Sequence, residues 1–213
     1  KAKPSFEFKL ARTSSKLIFE ATDMVLGYDS AEPLSSPINL TVERGQKIAF
    51  TGSNGIGKST LLKSLLGEIK PLSGEVVQGE FQVIGYFAQE DKHPSQKTVL
   101  DEYWDEFSTL NQAEVRAALA RCGLGTKQIE SRVYVLSGGE QAKLRLGKIM
   151  NHESNILVMD EPTNHLDVDA KDELKRAIQA YKGTVLMVSH EPEFYQDIVT
   201  EIVDCEAWTT KVV

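Results

Sequence analysis

Gly52-Ser53-Asn54-Gly55-Ile56-Gly57-Lys58-Ser59, followed by Thr60, fits the phosphate-binding pattern G-x-x-x-x-G-K-[ST] at every fixed position. Its glycines let successive backbone N–H groups turn inward around phosphate oxygens, a nest that a Cβ would obstruct. The pattern needs a strand before it and a helix after it. Lys47 to Phe50 reads as a short strand, and Lys58 to Leu66 as a helix stopped by Gly67, so the context is met. There Lys58 reaches the β- and γ-phosphates as a point charge. The Ser59 hydroxyl is an oxygen ligand of the kind Mg²⁺ prefers, and the helix turns its positive end toward the anion.

Working outward, Ile156-Leu157-Val158-Met159 is a continuous apolar run, the mark of a buried parallel strand, and it ends in Asp160-Glu161. Carboxylates at that end of a strand sit where α/β sheets bind ligands. Asp160 is the expected Mg²⁺ holder. Glu161 is the expected base for the attacking water, because phosphoryl transfer needs mainly positioning and charge stabilisation. A second buried strand, Thr184 to Ser189, ends at His190, whose imidazole is suited to contact the γ-phosphate and position the water. Gln89, after the strand Val83 to Ala88, offers an amide oxygen to the metal or the water. Tyr28, at the end of the strand Leu17 to Tyr28, offers a ring to adenine. Ser137-Gly138-Gly139-Glu140 is a capping box for a helix over Gln141 to Met150. Its two glycines bare that helix start toward an anion, read as the ATP of a partner domain.

The remaining punctuation gives an α/β order. Ile38 to Val42 is a further strand, Glu75 to Gln78 and Gln82 to Phe87 read as a hairpin around Gly79, and Val168 to Lys182 reads as a helix. The pattern turns helical from about residue 91 to 150. The expected architecture is an α/β phosphate-loop nucleoside triphosphatase with a parallel core sheet, an antiparallel β edge and an inserted helical subdomain.

Composition limits the partners. The 213 residues carry a net charge of −7 and 41% hydrophobic residues, enough for a sizeable core and no general affinity for nucleic acid. No apolar run approaches the ~20 residues of a membrane span. Cys122 and Cys205 have no metal-ligand spacing and fit reduced thiols in a cytoplasmic protein. Residues 1–16 hold Lys1, Lys3, Lys9, Arg12 and Lys16 against Glu7 alone. They are expected to be the end of a basic linker or a tail, with the ATPase domain over 17–213. A chain that starts without Met is expected to be cut from a longer protein.

These motifs, in this order, resemble the nucleotide-binding domain of the ABC ATPases over roughly residues 17–205. The resemblance implies a Walker A at Gly52 to Thr60, a Q-loop at Gln89, a signature at Leu136 to Gln141 and a Walker B at Ile156 to Glu161. It places Asp167 in the D-loop, makes His190 the switch histidine and Tyr28 the adenine-stacking aromatic. It implies ATP and Mg²⁺ as cofactors, ATP hydrolysis to ADP and phosphate, and a second ABC ATPase domain as partner, with the ATP sandwiched between them. After Glu161 the chain reads Pro162-Thr163-Asn164-His165-Leu166-Asp167, where transporter domains usually have Ser-Ala-Leu-Asp. This resembles the second domain of the ABC-F group, whose members carry two such domains and several of which act on the ribosome in translation or antibiotic resistance. Thr98-Val99-Leu100-Asp101-Glu102 points the same way. Ribosome and tRNA contact would then lie in parts outside this sequence, with no membrane involved. The alternative is the ATPase subunit of a membrane transporter. The sequence departs from the group at Glu191-Pro192-Glu193-Phe194, where Asp-Arg and an aromatic are common.

Overall fold

A computed structural model describes residues 3–89 and 93–210. Its elements run β1 (Lys9–Leu10), β2 (Leu17–Val25), β3 (Ile38–Glu43), β4 (Lys47–Thr51), α1 (Lys58–Leu65), β5 (Ser73–Gln78), β6 (Ile84–Phe87), α2 (Val99–Glu106), α3 (Gln112–Arg121), α4 (Thr126–Glu130), α5 (Gly138–Met150), β7 (Glu153–Ser154), β8 (Ile156–Asp160), α6 (Val168–Ala180), β9 (Thr184–Val188), α7 (Pro192–Tyr195) and β10 (Glu201–Asp204). The chain divides into two units, one of Leu10–Tyr86, Ser154–Glu161 and Lys182–Val213, the other of Lys1–Lys9, Phe87–Glu153 and Pro162–Tyr181.

The first unit carries two sheets. Five strands lie in the order β10-β4-β9-β8-β6, and three in the order β3-β2-β5. All five residues of β8 and of β9 are buried, which explains their unbroken apolar runs. Parallel pairing sets Phe50 and Asp160 both opposite Val188. The strands therefore end level, and the chain leaves β4, β8 and β9 at one edge. That edge is where ligands gather on parallel sheets. Ile18, Phe19, Leu62, Leu65, Ile156, Val158 and Leu186 are fully buried in one core.

The expected hairpin is not formed. β5 pairs antiparallel with β2, while β6 joins the parallel sheet beside β8. The cause is the Asn155 side chain. Its Oδ1 accepts the Val83 N–H at 2.9 Å and its Nδ2 donates to Arg12 O at 2.9 Å and Phe81 O at 2.7 Å. One amide thus ties the chain after β5 to the start of β8. At the crossover Phe81 takes φ 62 and carries the Arg12 guanidinium 4.2 Å over its ring.

The second unit is helical. Val99, Tyr103, Val115, Leu119, Ile129 and Leu144 from α2 to α5 share a buried cluster. The Thr98 and Asn111 side chains cap α2 and α3, accepting the Asp101 and Glu114 N–H groups. The helical stretch expected from about residue 91 begins with α2 at Val99, and 91–92 lie outside the described residues.

Residues 5–8, expected as tail or linker end, pack within this unit. Phe6 is fully buried. Ser5 N–H donates to Arg121 O at 2.7 Å, Phe6 N–H to Glu173 at 2.9 Å, and Arg176 donates to Phe6 O at 2.7 Å. Phe8 meets the Tyr181 ring edge-on at 6.1 Å. The basic count of this stretch masked a Phe-x-Phe alternation with something to bury. Both cysteines are free and buried, and burial pushes each thiol up to about 12.

Among the described residues no helix is long and apolar enough to cross a membrane.

Candidate functional site

Between β4 and α1 the chain turns through Gly52 (φ 138), Gly55 (φ 82) and Gly57 (φ 102). At φ 138 any side chain on Gly52 is strained, and its Cβ would also fall 2.4 Å from Ile56 Cδ1, so the turn favours glycine there. Gly57 is the N-cap of α1 and brings no side chain to the helix's first N–H groups, which leaves them for an anion. Lys58 is buried, and its ammonium donates back to Gly52 O. A cation, a bare helix start and a glycine turn thus come together within one short stretch of chain. Tyr28 is 68% exposed with its hydroxyl 3.4 Å from Thr60 Oγ1, so its ring is open to a planar ligand beside the loop.

Asp160 ends β8 and is 1% exposed. Neither carboxylate oxygen has a partner of full hydrogen-bond geometry. Burial holds its pKa above the usual carboxylate range. The Ser59 hydroxyl draws it partly back, Glu161 raises it further, and Lys63 and Lys58 oppose that. An orphaned buried carboxylate beside a serine hydroxyl is an oxygen donor set that fits a hard divalent cation. Among the described residues no three His, Cys, Asp or Glu side chains group as a metal site of their own, so further oxygens must come from the ligand or water. Tyr86, whose hydroxyl is also buried without a partner, is pushed up to about 12 by burial first, then by Glu68 and Asp160.

Glu161 follows with φ 51, a left-handed backbone that a non-glycine residue adopts at a cost of about 1 kcal/mol or more. Its N–H donates to Val188 O at 2.9 Å, which pins the turn to β9. The turn aims the side chain so that Oε2 lies 2.9 Å from His190 Nδ1. That separation makes an ion pair whenever the imidazole is protonated. It does not also have hydrogen-bond direction, since Oε2 counts as unpartnered by geometry. His190 is half exposed and Glu161 buried. The pair is therefore a sheltered base held by an open imidazole, at the edge where β4 delivers the glycine loop.

The structure thus brings Tyr28, residues 52–60, Asp160, Glu161 and His190 into one unit. Gln89 and Ser137–Gly139 belong to the other. Gln89 is exposed, two residues past the end of β6. Ser137 and Glu140 form the expected capping box, at 3.2 and 2.9 Å. The two glycines also do something the sequence did not disclose. A Cβ on Gly138 would lie 2.9 Å from His165 Cγ, and one on Gly139 would lie 2.5 Å from His165 O. The turn that carries His165 (φ 66) packs directly on the helix start. Asp167 then caps α6 through the Ala170 N–H at 2.9 Å and lies 3.9 Å from Lys143 Nζ.

One residue that touches the glycine loop carries no sequence signal at all. Glu206 accepts the Ser53 N–H at 3.0 Å and also the Ser53 hydroxyl. Nothing in Asp204-Cys205-Glu206 marks it, because the contact joins residues 153 apart in the chain.

Three comparisons bear on this site. The family pattern described as ABC transporter matches residues 35–164. The chain is 65% identical over its whole length to the uncharacterized ABC transporter ATP-binding protein YfmM of Bacillus subtilis, of which it spans 40%. It is 39% identical over 90% of its length to ABC transporter F family member 2 of Arabidopsis thaliana, spanning 28% of that protein. Among solved structures it superposes with a TM-score of 0.71 at 27% identity on a putative ABC transporter ATP-binding protein of Pyrococcus furiosus, covering 90% of this chain and 99% of that one. The chain therefore corresponds to well under half of each of these two curated relatives.

Proposed function

The chain belongs to the ABC transporter family as an ABC ATPase domain, and from that premise we propose that it is one ATP-hydrolysing half of an ABC-F switch acting on the ribosome. Its F-family relative, the fraction of each relative it spans, and Asn164-His165-Leu166-Asp167 support the ABC-F reading. The observation that carries hydrolysis is Glu161, held at positive φ with its carboxylate 2.9 Å from His190.

ATP lies with its phosphates on Gly52 to Thr60, Lys58 against the β- and γ-phosphates, and adenine on Tyr28. Mg²⁺, when bound with it, supplies charge neutralisation on the transferring phosphoryl group. Ser59 and Asp160 would hold that ion. Glu161 takes a proton from water as the water oxygen bonds to the γ-phosphorus. The bond from that phosphorus to the β-phosphate oxygen breaks, and ADP and phosphate leave. His190 orients the water and steadies the Glu161 carboxylate. Ser137, Gly138 and Gly139 meet the ATP of a second ABC domain, so closure of two domains over nucleotide is the switched state, reopened by hydrolysis. Contacts with ribosome and tRNA lie in other parts of a cytoplasmic protein.

The test is ribosome co-sedimentation of the full-length protein carrying Glu161→Gln and its counterpart in the other domain. ATP, but not ADP, is expected to hold it on the particle. Equal recovery with either nucleotide, or none with both, refutes the ribosome reading.

A further inference from the structure

We infer that Glu206 is a positioning residue that fixes the entry of the phosphate-binding loop in its anion-ready shape; the inference rests on reading Gly52 to Thr60 as the nucleotide site. After β10 the chain makes a short turn in which Asp204 Oδ1 accepts the Glu206 N–H at 2.9 Å. The turn lays the Glu206 side chain along the start of the loop. A Cβ added to Gly52 would come within 3.4 Å of Glu206 Cγ. The carboxylate takes both polar hydrogens that Ser53 offers, the N–H at 3.0 Å and the hydroxyl. It is held below the usual carboxylate range by those two contacts, hydroxyl first, and then by the charge of Lys58. It therefore remains an acceptor throughout the neutral range.

The other side of the turn is anchored too. Ser36 N–H donates to Trp208 O at 2.8 Å, Thr210 N–H to Leu34 O at 3.3 Å, and the Thr210 hydroxyl to Pro33 O. Leu34 in turn would lie 3.7 Å from a Cβ on Gly57. Residues 204–210 thus bridge Ser53, at the entry of the loop, and residues 33–36, which pack against its exit and follow Tyr28. A loop of three positive-φ glycines is otherwise free to sample many shapes. Fixing its second residue, Ser53, from outside removes part of the ordering that nucleotide binding would otherwise require.

The expected effect is on affinity. Glu206→Ala weakens binding of Mg·ATP and Mg·ADP by roughly three- to tenfold, the scale of losing charge-assisted contacts that hold a loop. Glu206→Gln, whose amide oxygen still accepts both hydrogens, restores affinity to within about twofold. Ser53→Ala keeps the N–H contact and falls between the two. Each is measured by calorimetric titration on the 213-residue chain, with melting temperatures taken without nucleotide to show that the variants are folded. Wild-type affinity in Glu206→Ala or Ser53→Ala overturns the inference. So does tighter binding by Glu206→Gln, which would make the carboxylate a competitor of phosphate. Should Glu206→Ala not fold, Ser53→Ala and Glu206→Gln decide alone. Lys58→Ala is run in parallel. If it binds ATP as wild type does, the nucleotide site itself is misplaced; if it fails to bind while Glu206→Ala is unaffected, only the role of Glu206 falls.

Discussion

Replacing Asp160 with Asn should stabilise the nucleotide-free chain while spoiling its response to Mg·ATP. Asp160 is 1% exposed, neither oxygen has a hydrogen-bond partner of full geometry, and burial outweighs the Ser59 hydroxyl in holding its pKa up. A charged acceptor left in that state destabilises the fold by ~1–3 kcal/mol. Asn removes the charge but keeps a polar group, so ~1–2 kcal/mol is recovered, worth ~2–8 °C in Tm for a chain of this size. The pH dependence has a definite sign. With the folded pKa above the unfolded one, the protonated group carries no penalty at or below the ordinary value of about 3.9. Wild type then loses stability as pH rises through the folded value, where Asn loses none. The two proteins should melt alike near pH 3.9 and below, and separate as pH rises through that window toward neutrality. Mg·ATP at a hundred times its Kd adds about 2.7 kcal/mol to wild type, a gain the variant should largely lack, so the order of melting reverses. Scanning calorimetry across pH, with and without nucleotide, reads both. A variant that melts at or below wild type at pH 7.5 without nucleotide refutes the reasoning, because Asp160 would then have a compensating partner.

Glu161→Gln should bind ATP normally and slow turnover by at least ~10²-fold, as expected for a missing general base; multiple-turnover phosphate release measures it, and near wild-type rates remove Glu161 from the chemistry. At the signature, Gly139→Ala should destabilise by ~1–3 kcal/mol, because its Cβ meets the His165 backbone oxygen at 2.5 Å. Gly138→Ala meets the His165 side chain, at 2.9 Å from Cγ, so adding His165→Gly should rescue Gly138→Ala and not Gly139→Ala. Urea unfolding separates the cases, and equal rescue of both would contradict the packing described.

What the sequence disclosed follows from range. The glycine loop, the capping box at Ser137 and the apolar runs of β8 and β9 are local patterns, each decided by residues within a few positions of one another. Strand ends followed from the same runs, which is why Asp160, Glu161 and His190 could be placed at them. The hairpin around Gly79 was misread because its short spacing favoured local pairing. The outcome was decided by Asn155, more than seventy residues further along the chain. Residues 5–8 were judged by their neighbours' charge, and the partners of Ser5, Phe6 and Phe8 lie on α3, on α6 and at the residue after α6 respectively. Glu206 escaped for the same reason, since a carboxylate gains meaning only from what it touches. The glycines of the signature were legible as a bare helix start. Their closeness to His165 was not, because a positive φ at a histidine has no sequence mark.

The distribution of sulfur has a use of its own. The chain has two cysteines. Cys122 falls in the helical unit and Cys205 in the unit with the sheets, each buried and with its thiol held to about 12. A thiol held that far above neutrality and out of solvent scarcely reacts with an alkylating reagent until the structure around it opens. The two side chains are therefore a pair of built-in timers, one per unit. Pulse alkylation followed by peptide mass analysis would report how often each unit opens separately, without labels, engineered residues or any assumption that the two halves unfold together.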